Sequence, residues 1–279
     1  MLYSTCLETN SPVKEAIDRH LKRVQETFPN EIIGVFLVGS QNYHLNTPES
    51  DVDTRALVMP TFQVIALHKE PVSKELSFED GGHCVVRDVR LVFRELLKQN
   101  PNCLEILCTS YYLLNEKYAG DFYPVLQHAN QIARYCPRLF VKSVYGMICS
   151  NAQKLRSALL AANKEPVYTP TLTKPLVTII RMVDMLEAYM KGCPFSGCLT
   201  PSDPVDLLYL KKTPTIGSGY IYNSLEDLTC AARDLVGRAD KEFAGVIDDR
   251  IPTFLDATLI NLVSLSISSD PDYKEAPHE

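Results

Sequence analysis

Apolar residues recur along this chain with two different periods, and the change of period divides it. Val13, Ile17, Leu21, Val24 and Phe28 return every three or four positions, the spacing of one helix face. Ser11-Pro12 supplies a hydroxyl cap and a proline at the first helical position, and Pro29-Asn30 ends the run. A largely apolar stretch from Glu31 to Val38 then reads as a buried strand that stops abruptly at Gly39-Ser40. Beyond a polar loop, Asp51 to Met59 reads as a second strand. Phe62 to Leu67 suggests a short helix, Glu79-Asp80-Gly81-Gly82 a turn, and His83 to Arg87 a third strand. Asp88 opens a helix on which Val89, Val92, Phe93, Leu96 and Leu97 share a face, and Pro101 starts a shorter one with Leu104, Ile106 and Leu107.

From Lys117 onward the pattern is helical. Phe122 to Tyr135, Arg138 to Ala162, Lys174 to Lys191, Ser224 to Phe243 and Pro252 to Ile267 each repeat at three and four residues. Asn163 to Thr173, Cys193 to Asp203 and Thr213 to Gly219 read as irregular links, and the polar end from Ser268 to Glu279 is expected to fray. The expected class is therefore α+β. A small mixed β-sheet core occupies residues 1–115, an α-helical C-terminal domain residues 116–267, and a tail residues 268–279.

Composition narrows the class without deciding it. At 279 residues the chain can bury one large core or two moderate ones. Hydrophobic residues at 46% and charged residues at 22% are ordinary for a soluble globular protein. No apolar run is long enough for a bilayer, which argues against a membrane partner. Met1 to Glu8 lacks a basic region followed by an apolar core, so a cytoplasmic location is expected. The nine cysteines are odd in number, scattered and without a Cys-x-x-Cys pair, which suits free thiols in a reducing compartment. Cys193 and Cys198 stand close enough to raise a disulfide or a metal pair.

The net charge of −6 argues against nucleic-acid binding by the whole surface. Between Gln131 and Met182, however, Arg134, Arg138, Lys142, Lys154, Arg156, Lys164, Lys174 and Arg181 face a single acid, Glu165. Such a segment in an acidic protein has the composition of a local phosphate-binding wall.

The chemistry concentrates at the end of the first strand. Side chains alternate along a strand, so Asp51 and Asp53 emerge on one face while Val52 points to the other. Two neighbouring carboxylates repel and call for a counter-charge. A hard divalent cation such as Mg²⁺ answers it and keeps positions open for phosphate. The Gly39-Ser40 turn brings backbone N–H groups and a hydroxyl to the same region. Either half alone is commonplace, since Asp-x-Asp is usually a solvated strand end. An apolar strand, Gly-Ser, a polar connection and Asp-x-Asp opening another apolar strand are together much more specific.

That order resembles the DNA polymerase β-like nucleotidyltransferase superfamily. More closely, Gly39-Ser40-Gln41-Asn42-Tyr43 with Thr47-Pro48-Glu49-Ser50-Asp51-Val52-Asp53-Thr54 is similar to a bacterial and phage family of predicted nucleotidyltransferases. Asp88-Val89-Arg90 and the run from Gln99 to Leu107 resemble its downstream blocks. The resemblance covers roughly Glu31 to Tyr112, with a fainter echo to about Gly192. It implies transfer of a nucleoside monophosphate from a triphosphate to an acceptor hydroxyl, with release of pyrophosphate. Asp51 and Asp53 would hold Mg²⁺, two ions in the usual arrangement. Gly39 and Ser40 would meet the β- and γ-phosphates, while Lys174 and Arg181 are placed near triphosphate or acceptor by charge alone.

The superfamily normally adds a third carboxylate from a later strand, and here His83 to Arg87 carries none. Asp88 is the nearest candidate, either as that third catalytic acid or as the N-cap of the helix it precedes. Asn42, Tyr43 and Ser50 read as structural, His44 as a pocket-shaping or surface residue, and Glu105 as a fold-defining acid that pairs with a base. Three classes follow. The chain is an active nucleotidyltransferase on a small molecule, a nucleic-acid end such as RNA, or a protein; or a nucleotide- or nucleic-acid-binding module with reduced catalysis; or an antitoxin-like interaction protein.

Overall fold

The computed structural model describes residues 3–5, 11–109, 111–161, 170–212 and 218–269. A short strand β1 (Tyr3–Thr5) precedes helix α1 (Pro12–Thr27). Ser11 caps α1 as its sequence requires, its side chain accepting the Lys14 backbone N–H at 3.1 Å. The sheet half continues as β2 (Ile32–Val38), β3 (Asp53–Val58), α2 (Phe62–Ala66), β4 (Ser73–Ser77), β5 (His83–Asp88), α3 (Val89–Leu97), α4 (Pro101–Leu104) and β6 (Tyr112–Asn115). Helices alone follow: α5 (Glu116–Gln127), α6 (Ala129–Arg134), α7 (Pro137–Ala161), α8 (Pro170–Met190), α9 (Phe195–Leu199), α10 (Pro204–Lys212), α11 (Ser218–Glu242) and α12 (Arg250–Ile267).

The six strands form one mixed sheet in the order β1-β6-β2-β3-β5-β4, so the fold is α+β. Only β3 and β5 run parallel; every other pairing is antiparallel. β2 lies inside the sheet and every one of its residues is buried, which is why it reads as a continuous apolar run. On one face Ile17, Leu21 and Val24 of α1 pack against Val35, Leu37, Ala56, Val58, Cys84 and Val86. The other face carries Ile33, Phe36, Leu57 and Leu114 into a single apolar cluster that runs through the helices as far as Leu262 of α12.

Several elements lay outside the periodicity. β4 is an exposed edge strand with sequence Ser-Lys-Glu-Leu-Ser; it needs only backbone pairing with β5, so no apolar stripe announces it. β6 is four residues long, and α9 and α10 fall within and just after a stretch read as a loop. α8 starts at Pro170, inside the predicted link, whereas residues 162–169, 213–217 and 270–279 lie outside the described part. The cysteines among the described residues are all free; Cys198 Sγ lies 3.4 Å from the Pro194 carbonyl oxygen rather than bridging to Cys193.

Candidate active site

The turn and the acids meet because β2 and β3 pair antiparallel, with Val38 directly opposite Asp53. The chain leaves β2 through a 3₁₀ turn at Gly39–Gln41 and re-enters the sheet at Asp53, so Asp51 stands just before the strand. Gly39 has φ +81°, and a Cβ there would come within 3.1 Å of Asp53 Oδ2. A left-handed conformation and a carboxylate pressed against the backbone leave room for glycine alone. The intervening loop is stiffened by its own hydrogen bonds. Leu45 N–H donates to Ser40 O at 2.9 Å, and Thr47 N–H to Ser50 Oγ at 2.8 Å. Leu45 then packs on Val177 of α8 and Leu207 of α10, which seats the loop on the helices.

A cleft of about 600 Å³ opens between sheet and helices at this point. Gly39, Ser40, Asp51 and Asp53 line one wall, and Lys174, Thr178 and Arg181 of α8 with Lys211 of α10 line the other. Burial first, and then the charge of Asp51, push the Asp53 carboxyl above its usual range, while His83 and Lys174 pull it back. Asp53 Oδ1 is buried with no hydrogen-bond partner. An orphaned carboxylate oxygen beside a second carboxylate is the donor set of a hard divalent cation that completes its shell with phosphate and water. Asp51 and Asp53 therefore fit Mg²⁺. Among the described residues no third histidine, cysteine or acid gathers with them.

Opposite them, Lys211 Nζ donates to the Leu45 carbonyl at 3.0 Å and lies 3.5 Å from Ser50 Oγ. Burial and the charge of Lys174 lower its pKa, against the opposing pull of Asp51. Two lysines that disfavour each other on one wall of an acid-lined cleft are stabilised by an added anion. Of the described residues of the basic segment, only Lys174 and Arg181 line this cleft. Arg138 and Lys142 pair with Asp240, Arg156 pairs with Glu226 at 2.6 Å, and Arg134 donates to the carbonyls of Tyr189 and Cys193. Lys164 lies outside the described residues. Four residues of that segment thus join one helix to another segment.

Asp88 is not in the site. It is level with Val58 at one end of the parallel β3–β5 pair, whereas Asp53 begins β3 at the other end, beside Thr54 and Cys84. Five residues of parallel strand separate the two levels by about 16 Å. The Asp88 side chain accepts the Arg90 backbone N–H at 2.9 Å as the N-cap of α3 and forms an ion pair with Arg90 at 2.6 Å. Its carboxylate is fully occupied there. On β5 the neighbour of Asp53 is His83, whose backbone N–H bonds to it. No described lysine or arginine forms an ion pair with Glu105, although the Arg181 charge acts on its carboxyl. It lies buried beneath the turn and accepts Gly39 N–H at 2.8 Å, Asn42 Nδ2 at 3.2 Å and the Tyr43 hydroxyl.

Residues 13–133 match the family described as RlaP, RNA repair pathway DNA polymerase beta family. By this match the stretch is similar to the polymerase β-like nucleotidyltransferases. The match takes in the turn, both acids and Glu105, and ends before α7. Among solved structures, a nucleotidyltransferase-like protein from Exiguobacterium sibiricum is 14% identical, with 91% of this chain and 77% of that one covered and a TM-score of 0.30. A likeness of that size carries no argument. No curated protein matches the chain.

One contributor escaped sequence reasoning, and another has partners other than those expected. Lys211 sits on α10, beside what reads as a loop, and nothing in its surroundings signals a site. Glu105 stands 52 positions after Asp53, and only folding brings it under the Gly39 turn.

Proposed function

We propose that the chain is a Mg²⁺-dependent nucleotidyltransferase that moves a nucleoside monophosphate from a nucleoside triphosphate onto an acceptor hydroxyl. The observation that carries this reading is the cleft itself: two acids, one with an orphaned buried oxygen, facing Lys174, Arg181 and Lys211 across about 600 Å³. In it Asp51 and Asp53 would hold Mg²⁺, which when bound would offset phosphate charge and polarise the reacting phosphate. Ser40 meets the phosphates from the sheet side, and Lys174, Arg181 and Lys211 meet them from the helices. The two walls orient the triphosphate so that its α-phosphorus faces the acceptor oxygen and pyrophosphate leaves in line. The description of the matching family, an RNA repair pathway, supports an RNA end as acceptor.

A binding module with reduced catalysis is the second reading, favoured by His83 standing where an acid on β5 would flank Asp53. Incubation with each labelled nucleoside triphosphate, Mg²⁺ and RNA bearing a free 3′ or 5′ end distinguishes the two. Covalent label on RNA is expected, and Asp51→Asn with Asp53→Asn should abolish it while the fold survives. Label transfer by the double variant at the wild-type rate would remove the proposal. Tight, metal-dependent nucleotide binding without any transfer would establish the second reading.

A further inference from the structure

Glu105, Tyr43 and Arg181 are connected in a way that neither wall of the cleft requires by itself. Asn100 caps α4, its side chain accepting Asn102 N–H at 3.0 Å, and Pro101 occupies the first helical position. The following 3₁₀ turn, Glu105–Leu107, is buried at all three residues, so the local fold carries a carboxylate into the core. Glu105 is 3% exposed, and no described lysine or arginine forms an ion pair with it. A buried acid without a counter-ion is tolerated only when its oxygens are filled with donors. Here the donors are the Gly39 backbone, the Asn42 amide and the Tyr43 hydroxyl, all from the stretch that follows β2 at the edge of the cleft.

Tyr43 extends the connection to the opposite wall. Burial first, then the charge of Glu105, hold its phenol far above the usual range, so it stays a hydrogen-bond donor. The Arg181 guanidinium lies flat over the same ring, 3.8 Å from its centroid. Arg181 is 8% exposed, lines the cleft, and among the described residues has neither a hydrogen-bond nor an ion-pair partner. A stacked guanidinium keeps its N–H edge free to meet an anion.

We propose that Glu105 is a positioning residue: through Gly39 on one side and through Tyr43 to Arg181 on the other, it sets both walls of the cleft in register for a polyphosphate. The proposal rests on the nucleotidyltransferase reading and specifies how that site selects a triphosphate over a monophosphate. A monophosphate touches one wall, whereas a triphosphate spans both, so only the longer ligand depends on their relative placement.

The test uses the full chain with whichever ribonucleoside triphosphate binds it most tightly in Mg²⁺, and the corresponding monophosphate. Glu105→Gln removes one acceptor oxygen, and Tyr43→Phe removes the hydroxyl but keeps the ring beneath Arg181. Each is expected to weaken triphosphate binding by at least about ten-fold (roughly 1.4 kcal/mol) and monophosphate binding by less than about two-fold. Mg²⁺ dependence should persist. The double variant should lose no more than the worse single one, because the two changes cut one connection. Urea midpoints are recorded beside these affinities, and Tyr43→Phe, which keeps the ring and creates no cavity, serves if Glu105→Gln does not fold. Unchanged triphosphate affinity in a folded variant, equal losses for both nucleotides, or additive losses in the double variant would each overturn the proposal. A wild-type protein that binds no triphosphate would instead overturn the reading beneath it.

Discussion

Asp53 shows how a side chain that is costly to the fold can be the one the proposed metal site uses. It is pressed against Gly39, orphaned at Oδ1 and faced by Asp51, and its carboxyl is held above the ordinary range chiefly by burial. An acid whose folded pKa is raised favours the native state while protonated, below its unfolded pKa. That stability is lost as pH rises through the folded value. Metal-free Asp53→Asn, which is never charged, should therefore melt above the wild type at neutral pH, and the two should converge as pH falls through the carboxylate range. Thermal melts in chelator across that range check it. A variant less stable than wild type at neutral pH would mean that the charged carboxylate has a compensating partner. The same residue bears on the turn: a would-be Gly39 Cβ would come within 3.1 Å of Asp53 Oδ2, which adds to the demand for glycine that its φ of +81° already makes.

Strands and helices determine which acids can cooperate. β5 ends at Asp88, and because β3 and β5 are parallel this end lies beside Val58, away from Asp53. An acid that follows an apolar strand and precedes an amphipathic helix has the same sequence context whether it is a cap or a catalyst. Only register separates the two. Asp88→Asn should preserve nucleotide binding and the cap, since asparagine caps about as well as aspartate, and lose only the Arg90 ion pair. Asp88→Ala should cost on the order of 1 kcal/mol from the lost cap, visible as a lower melting temperature with unchanged triphosphate affinity. Loss of that affinity in a folded Asp88→Asn protein would contradict the placement.

At the level of the whole chain, the net charge of −6 repels a polyanion, so attraction must come from a local cluster. That cluster joins three segments: Lys174 and Arg181 on α8, and Lys211 on α10, tied through Leu45 O to the loop before Asp51. Lys174→Ala and Lys211→Ala should weaken triphosphate binding more than monophosphate binding, each by several-fold. They should also flatten its dependence on salt, because each removes one charge from the interaction. Titrations at two ionic strengths measure both effects. An unchanged salt dependence in either variant would show that its lysine lies away from the phosphates.

Much of this protein was legible before it folded. The Ser11-Pro12 cap, the all-buried β2, the Gly39-Ser40 turn and the Asp51/Asp53 pair follow from local rules: capping, period and left-handed backbone. Each rule acts over a few neighbouring residues, so the sequence shows it directly. Edge strand β4 escaped because backbone pairing needs no apolar face, and α10 because a short half-exposed helix has little periodicity. Tertiary structure alone decided which of the described basic residues meet the cleft, that Lys211 joins them, and that Glu105 lies under Gly39 while Asp88 does not reach the acids. Those outcomes depend on strand register and on which helix faces pack together. Both are set by the burial of distant apolar residues against one another, and no local pattern around a charged side chain records them.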